Sequence, residues 1–376
     1  MIYFDNAATT FIKPRSVYTC VNKYLKKYAG NPGRSSHKIA AAAAEYVYVA
    51  RERVASLFSV ADPAQVVFTM NATYALNMAI KSLICESGHI IISDVEHNSV
   101  LRPVIKLCEE FNGEYSVFDS NADNIFFEIE RHIRKDTKAV ISSIMSNVDG
   151  REISLFALSA IKQKHNLKLI IDASQAAGHK KIDLSNVKYD AIAMPGHKGL
   201  YGIQGAGICI FNGLPPRNSF VEGGSGFDSK NPYMPPTLPE HFEAGTLPTP
   251  SIAALSEGIK FIEKISVDEI EFKIDLLDSM LIDRLSDIRG IDVYGGKNGI
   301  TSFILSGVGV EELAERLNYR GIYLRSGFHC APLAHRTIGT FDSGTARVSF
   351  SYFNNVNEVD EFWSALKEIS FECKKR

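Results

Sequence analysis

Two ionisable residues follow apolar runs at places where a folded chain could bring them together. Asp172 comes directly after the run Leu169–Ile171, and Lys198 lies shortly after the next run, Ala191–Ala193. Because ligands bind at the carboxyl ends of parallel strands, both side chains are expected at one edge of a sheet. Each residue also has an ordinary interpretation. Asp172 could cap a following helix, and Lys198 could be a surface lysine in a glycine-rich turn.

Taken together, Asp172 and Lys198 indicate one cofactor chemistry more strongly than either residue does alone. A carboxylate keeps a neighbouring pyridine nitrogen protonated, and a lysine amine can bond to an aldehyde as a Schiff base. Pyridoxal 5'-phosphate contains both groups. The sequence therefore predicts a site in which this cofactor is bonded to Lys198 and ion-paired with Asp172.

The elements that must position this pair are visible as alternating patterns. Short apolar runs alternate with helical periodicity, which favours a mainly parallel sheet covered by helices. The predicted strands are Val66–Phe68, Ile90–Ile92, Ala139–Ile141, Leu169–Ile171, Ala191–Ala193 and Gly207–Phe211. The predicted helices are Arg15–Tyr28, Lys38–Phe58, Thr73–Ser82, Val100–Phe111, Leu155–His165 and a long one from Ile252 to about Arg289. A Gly- and Pro-rich stretch, Glu222–Pro250, predicts a loop that is ordered by contacts elsewhere.

Several motifs in a fixed order resemble one protein family. From Phe4-Asp5-Asn6-Ala7-Ala8-Thr9-Thr10 to Gly344-Thr345-Ala346-Arg347-Val348-Ser349, the chain resembles class V aminotransferases of fold type I. Within that family it is similar to the cysteine desulfurases and selenocysteine lyases of the group II, Suf-like type. The resemblance implies an α/β fold: a mainly parallel central sheet flanked by helices, with a smaller α/β C-terminal domain. We expect residues 16–255 to form the large cofactor-binding domain and residues 1–15 with 256–376 the small one.

The resemblance also assigns the phosphate and ring contacts of the cofactor. The helix that begins near Thr73 is expected to offer backbone N–H groups, from Ala72 onward, and the Thr73 hydroxyl to the phosphate. His197 resembles the histidine that also reaches the phosphate. His97 resembles the catalytic imidazole that stacks on the pyridine ring; by itself it would be an ordinary core or loop histidine. Thr246 resembles a threonine that completes the phosphate site from a neighbouring subunit, which implies a homodimer.

Further assignments concern the substrate side of the site. Asn147 and Gln175 resemble a pair near the cofactor's phenolic oxygen, with Asn147 also meeting the substrate; elsewhere both would be ordinary amides. Arg347 resembles the arginine that holds the substrate carboxylate, a role that suits a planar guanidinium, and its alternative is a surface arginine on a strand. Cys330, in Arg325-Ser326-Gly327-Phe328-His329-Cys330-Ala331-Pro332, resembles the sulfur-accepting cysteine. Its alternative is a buried, inert thiol.

One position departs from the family pattern. Many desulfurases have a serine three residues before the Schiff-base lysine, where its hydroxyl contacts the phosphate, and this chain has Pro195. Proline has neither a hydroxyl nor an N–H to offer. The departure predicts a compensated or weaker grip on the phosphate.

Three functions remain open at this point. The first is conversion of L-cysteine to L-alanine with a persulfide on Cys330, and a sulfur-acceptor protein is then a possible partner. The second keeps the cofactor but changes the reaction, to a selenocysteine lyase, another β-elimination or an aminotransferase. The third is a non-catalytic sulfur-relay or regulatory protein, which would need an eroded cofactor site.

Composition excludes several other classes. The formal net charge is −2, so neither nucleic acid nor an anionic membrane is an expected partner. The start of the chain shows no secretory signal pattern, and no run is long enough to span a membrane. The six cysteines form no CxxC pair, which favours a cytoplasmic location. The histidines show no zinc-site spacing, so no metal is expected.

Overall fold

The computed structural model describes residues 1–33, 37–216 and 218–373. The last three residues of the predicted small domain lie outside this part. Strand β1 is Ile2–Tyr3, and the seven strands of the central sheet, β2 to β8 in chain order, are Val66–Thr69, His89–Ser93, Glu114–Phe118, Thr137–Ser143, Lys168–Asp172, Ala191–Pro195 and Gly207–Phe211. They are ordered β2-β8-β7-β6-β5-β3-β4.

The central sheet is mainly parallel. Strands β4, β3, β5, β6 and β7 are mutually parallel, whereas β8 is antiparallel to both of its neighbours, β7 and β2. The predicted fold class is thus confirmed, and each of the six predicted strands is present. Strand β4 was not predicted, because Glu114 and Tyr115 are exposed at the sheet edge and the strand has no apolar run.

Helices cover the sheet. Helices α1 to α7 are Arg15–Lys27, Lys38–Leu57, Ala72–Leu83, Asn98–Phe111, Ile125–His132, Leu155–His165 and Thr249–Ile265, and a short 3-10 helix spans Pro63–Gln65. The buried strand residues form two apolar clusters, one on each face of the sheet. Alternate residues of β3 divide between them, since Ile91 belongs to one cluster and Ile90 and Ile92 to the other.

The long helix predicted from Ile252 to about Arg289 is two helices, α7 and α8 (Val267–Ser286). They meet at Ser266, which has a φ of +80° and so cannot continue a right-handed helix. The Ser266 hydroxyl then accepts the N–H of Glu269 at 3.1 Å and caps α8. Apolar periodicity continues through the break, which is why the sequence pattern did not show it.

A second sheet lies in the C-terminal part of the chain. Strands β9 (Ile291–Lys297), β10 (Ile300–Leu305), β12 (Arg325–Gly327) and β13 (Thr345–Ser349) form an antiparallel sheet ordered β12-β13-β10-β9. Strand β11 (Ile322–Tyr323) pairs in parallel with β1. Helices α9 (Val310–Tyr319), α10 (Pro332–Thr337) and α11 (Val356–Cys373) complete this part. The boundaries of the two domains stay a prediction.

The Gly- and Pro-rich stretch contains no helix or strand until α7 begins at Thr249. It is anchored by Glu243, whose carboxylate meets the Arg51 guanidinium with two bonds of 2.9 Å and accepts the Phe68 N–H at 2.7 Å. A buried, bidentate ion pair of this kind attaches the loop strongly to α2. Of the helices in the described ranges, none is long and apolar enough to cross a membrane.

Candidate active site

One cavity lies at the carboxyl ends of β5, β6 and β7, where the second sheet meets the central one. It is open to solvent, and the empty space within it, including that open part, is about 800 Å³. Nine of the eleven predicted site residues line it: Ala72, Thr73, His97, Asn147, Asp172, Gln175, His197, Lys198 and Arg347. Thr246 and Cys330 are not among the lining residues.

Asp172 ends β6 and is 5% exposed. Its Oδ1 accepts the N–H of Ser174 at 2.8 Å, which orients the carboxylate at the strand end. Burial raises the pKa of Asp172, while the hydrogen bonds from Ser174 and the charge of Lys198 oppose that rise. A cationic ligand group beside this carboxylate would favour its ionised form further.

Lys198 follows β7 and lies half-buried in the same cavity. Burial lowers its pKa to about 8; Asp172 opposes this shift, and Arg347 and Arg325 add to it. The neighbouring turn is packed tightly, because a Cβ on Gly199 would lie 2.3 Å from the carbonyl oxygen of Ala177. Such a lysine is a neutral nucleophile at a lower pH than a surface lysine.

The N-terminus of α3 forms one end of the cavity. Asn71 caps this helix by accepting the N–H of Tyr74 at 2.9 Å, and the first N–H groups of a helix have no partner within it. Gly207 permits this approach, since a Cβ there would lie 2.4 Å from the Asn71 carbonyl carbon. Ala72 and Thr73 therefore lie at a helix N-terminus that lines the cavity, a position whose backbone N–H groups suit an anion.

His97 is held as a neutral imidazole. It caps α4, and its Nδ1 accepts the N–H of Ser99 at 3.0 Å. Burial, followed by the charge of Lys198, lowers its pKa to about 4. The Ser99 hydroxyl lies 2.8 Å from His97 Nδ1 and 2.7 Å from the Thr73 hydroxyl, so it links the predicted ring-stacking and phosphate residues.

His197 is also neutral. Burial, with smaller contributions from Lys198 and Lys13, lowers its pKa to about 4. Its Nδ1 lies 3.0 Å from the Thr9 hydroxyl. Pro195, the position that departs from the family pattern, lines the cavity as the last residue of β7.

The two predicted amides connect distant segments. Asn147 donates from Nδ2 to the His329 carbonyl at 2.7 Å, and Gln175 donates from Nε2 to the Ala7 carbonyl at 3.1 Å. Each amide therefore fixes a segment that borders the cavity. These bonds use one N–H of each amide, whereas each amide oxygen keeps its full capacity to accept hydrogen bonds from a ligand.

Arg347 is 1% exposed, on the buried strand β13. Its Nη2 donates to Asp5 Oδ1 at 2.7 Å and its Nη1 to the Asn147 carbonyl at 2.8 Å. Its Nε is buried and has no partner in the described structure. Because Arg347 is buried and lines the cavity, the surface-arginine interpretation does not apply.

Cys330 lies half-buried in a turn in which His329 and Cys330 both have positive φ angles, +48° and +59°. Arg325 Nη2 lies 3.4 Å from the Cys330 sulfur, and the Cys330 carbonyl accepts the Asn98 N–H at 2.7 Å. The cavity is lined by the neighbours Arg325 and His329 instead. The thiol thus contacts a residue of the cavity lining, Arg325, on a loop that is bonded to the start of α4.

Thr246 is exposed, with the Asn31 amide 3.5 Å from its hydroxyl. Within one chain it does not reach the cavity. This position neither tests nor contradicts a role in a neighbouring subunit's site.

Sequence reasoning missed several residues that border the site. They are Ser99, Arg325, His329, Asp5 and Glu96. Glu96 is fully buried, accepts the Ser143 N–H at 2.7 Å and has a pKa that burial raises to about 8. Ser99 and Glu96 stand next to or near His97 in the chain, and that proximity was the available signal. Across residues 1–33, 37–216 and 218–373, no three His, Cys, Asp or Glu residues are grouped to hold a metal ion.

Known proteins are similar to this chain over nearly its whole length. A probable cysteine desulfurase of Pyrococcus abyssi is 29% identical, covering 98% of this chain and 94% of the relative, and one of Halalkalibacterium halodurans is 28% identical, covering 98% and 93%. The apo structure of a cysteine desulfurase from Thermococcus onnurineus superimposes with a TM-score of 0.88 at 27% identity, covering 99% of this chain and 95% of the other. The family model described as Aminotransferase class-V matches residues 2–362. The chain belongs to the aminotransferase class-V family.

Proposed function

We propose that this protein is a pyridoxal-phosphate-dependent cysteine desulfurase that converts L-cysteine to L-alanine and forms a persulfide on Cys330. The observation that carries the proposal is the shared cavity of Lys198, Asp172 and Arg347, with the Cys330 loop at its edge. The similarity to proteins named as cysteine desulfurases supports the choice of reaction.

The lining residues match the groups of pyridoxal phosphate. The N-terminus of α3 with Thr73 suits its phosphate, the Lys198 amine its aldehyde, and the Asp172 carboxylate its pyridine nitrogen. His97 is a neutral ring suited to stacking, and Asn147 and Gln175 are suited to its phenolic oxygen. When bound, the cofactor supplies an electron sink for charge that develops at the substrate's Cα.

The remaining steps are performed by side chains of this chain. Arg347 lines the cavity and holds the substrate carboxylate through guanidinium N–H groups that its bonds to Asp5 and the Asn147 carbonyl do not use. Lys198, once its amine is free, removes the proton from Cα, a task for which a pKa near 8 suits a general base. Asp172 holds a proton on the pyridine nitrogen throughout.

Sulfur transfer balances without any added oxidant or reductant. The Cys330 thiolate attacks the substrate sulfur, the bond between that sulfur and Cβ breaks, and the three hydrogens of the substrate's HS–CH2 group appear as the methyl group of alanine. The enzyme retains a persulfide anion. The Cys330 sulfur lies 3.4 Å from Arg325 Nη2, and Arg325 lines the cavity, so the thiol is next to a residue of the site.

The test is turnover of L-cysteine with sulfide and alanine both quantified. We expect equal amounts of the two products in the presence of a thiol reductant, and loss of sulfide formation in Cys330→Ala. The exposed Cys85→Ala is the matched control and should keep full activity. A Cys330→Ala protein that formed sulfide at the wild-type rate would contradict the persulfide step. A colourless protein that binds no pyridoxal phosphate would favour the non-catalytic relay function.

Selenocysteine lyase is the second candidate. Selenium can leave Cβ without help from an enzyme thiol, and the position of the Cys330 sulfur outside the cavity lining suits such a reaction. Under this alternative, Cys330→Ala keeps its activity with L-selenocysteine. Parallel assays with cysteine, selenocysteine and cysteine sulfinate distinguish the two functions, and amino-group transfer would identify an aminotransferase.

The assembly and location belong to the same proposal. We propose a homodimer in which Thr246 completes the phosphate site of the neighbouring subunit, since it is exposed and does not line its own cavity. We also propose a cytoplasmic enzyme, with a large domain of residues 16–255 and a small domain of residues 1–15 and 256–376. A sulfur-acceptor protein would take the persulfide sulfur from Cys330.

A further inference from the structure

The segment of residues 5–13 connects the two halves of the site. At its start, Asp5 pairs with Arg347, and the Ala7 N–H donates to the Ser349 hydroxyl at 2.8 Å. Both partners belong to β13. Ala7 and Ala8 themselves line the cavity, so the segment runs directly along its wall.

The other end of the segment holds the backbone of the Lys198 turn. The His197 carbonyl accepts from Lys13 Nζ at 2.7 Å, and from the Thr10 N–H and the Thr9 hydroxyl at 3.3 Å each. The Lys198 carbonyl accepts the Thr10 hydroxyl at 2.9 Å. The carbonyl groups on both sides of the Lys198 Cα are therefore held by one segment.

Lys13 is an unusual residue for a structural contact of this kind. It is 7% exposed, and no carboxylate in the described ranges lies within ion-pair distance of its amine. Burying an ammonium without an anionic partner opposes folding, so ordinary packing does not select for it. Burial lowers its pKa to about 8 accordingly. A neutral side chain of similar length would fill the same space with less destabilisation.

We propose that Lys13 is a positioning residue for Lys198: its amine clamps the His197 carbonyl and thereby fixes the backbone from which the Lys198 side chain acts. The inference rests on the proposed function of Lys198 as the base at Cα. A base must lie within hydrogen-bond reach of the proton that it removes, and a misplacement of about 1 Å can reduce a rate by about 100-fold. Cofactor and carboxylate contacts come from other residues, so substrate affinity should depend little on Lys13.

The experiment compares wild type with Lys13→Met and with the exposed control Lys27→Met. The assay follows exchange of the Cα hydrogen of L-alanine in D2O by the cofactor-loaded enzyme, and L-alanine binding is measured separately from the cofactor's absorbance. We expect Lys13→Met to slow exchange by about 10- to 100-fold with binding changed less than about threefold. Lys27→Met should match wild type. A general structural defect would instead weaken binding and exchange together, and that result overturns the proposal.

Two further measurements keep the test decisive. Thr10→Val removes the bond to the Lys198 carbonyl, and it should slow exchange in the same direction if Lys13→Met does not fold. In the cofactor-free protein, amide hydrogen exchange should increase in residues 196–202 and not in Thr345–Ser349. Unchanged Cα exchange in both variants overturns the proposal. Alanine exchange needs no sulfur chemistry, so a protein inactive on L-cysteine refutes the proposed function while Lys13 is still tested.

Discussion

The guanidinium of Arg347 is bonded to Asp5, with Nη2 2.7 Å from Oδ1, although the two residues stand 342 positions apart in the chain. Arg347 is 1% exposed, so this carboxylate compensates a charge that is almost fully removed from water. Asp5 thus joins the start of the chain to β13 and orients the arginine proposed to bind the substrate. The bonds to Asp5 and to the Asn147 carbonyl use two of its five N–H donors.

Asp5→Ala should destabilise the protein. It leaves a buried guanidinium without its carboxylate, and we expect the free energy of unfolding to fall by about 2–4 kcal/mol, below the largest values because Asp5 is partly exposed. Urea unfolding of the cofactor-free protein measures this change. The exposed Asp342→Ala is the control. Equal stabilities of the two variants would show that the Arg347 charge is compensated elsewhere.

Asp172→Asn should separate cofactor binding from catalysis. An amide cannot stabilise a protonated pyridine nitrogen as a carboxylate does, and we expect kcat to fall by about 100-fold or more. Attachment at Lys198 should persist, since it does not require the carboxylate. Absorbance of the bound cofactor and steady-state turnover provide the two readings. Wild-type turnover by a fully loaded Asp172→Asn enzyme would refute the assigned role.

The rate of cofactor attachment should depend on pH with a midpoint near 8. Only the neutral amine is nucleophilic, and burial lowers the pKa of Lys198 to about 8, so attachment to the cofactor-free protein should accelerate up to that pH and then level off. The charge of Asp172 raises the pKa of Lys198. Asp172→Asn should therefore move the midpoint to lower pH. A rate that continues to rise to pH 10 would indicate an ordinary lysine.

The pH dependence of the free energy of unfolding should reflect the titration of Lys13. Its pKa is lowered from 10.5 to about 8 by burial, so between these values the unfolded chain binds a proton that the folded chain has released. Stability then rises with pH, by at most about 1.4 kcal/mol per pH unit. The difference in the free energy of unfolding between wild type and Lys13→Met should grow in favour of wild type from pH 8 to pH 10. A constant difference would mean that Lys13 titrates normally.

Thr246 allows a test of the proposed homodimer. Lys198→Ala and Thr246→Ala chains are each expected to be impaired, the second through about tenfold weaker cofactor binding. If Thr246 serves the neighbouring subunit, a mixed dimer of the two contains one complete site, formed by the Lys198 of one chain and the Thr246 of the other. Mixing should restore tight cofactor binding to half of the sites. Absence of recovery in a dimer confirmed by sedimentation would place Thr246 outside the neighbouring site.

Local features of the site were predictable from local sequence. Asp172 ends one short buried strand and Lys198 follows the next, and parallel pairing of β6 and β7 brings these strand ends to the same edge. The start of α3 was predicted near Thr73, one residue late, because the capping role of Asn71 was not recognised. Strand β4 and the break at Ser266 were missed, because an exposed edge strand and a left-handed serine change no apolar pattern.

The sequence by itself determined the period of each buried strand and helix and the types of residue at their ends, and these were enough to infer a cofactor between an amine and a carboxylate. Only the tertiary structure decided that Asp5 neutralises Arg347, that Lys13 holds the Lys198 turn, and that the Cys330 sulfur lies beside the cavity. Local residue type and spacing determine local conformation. Contacts between segments hundreds of residues apart depend on how the two sheets and the chain's first residues pack together, which periodicity does not encode.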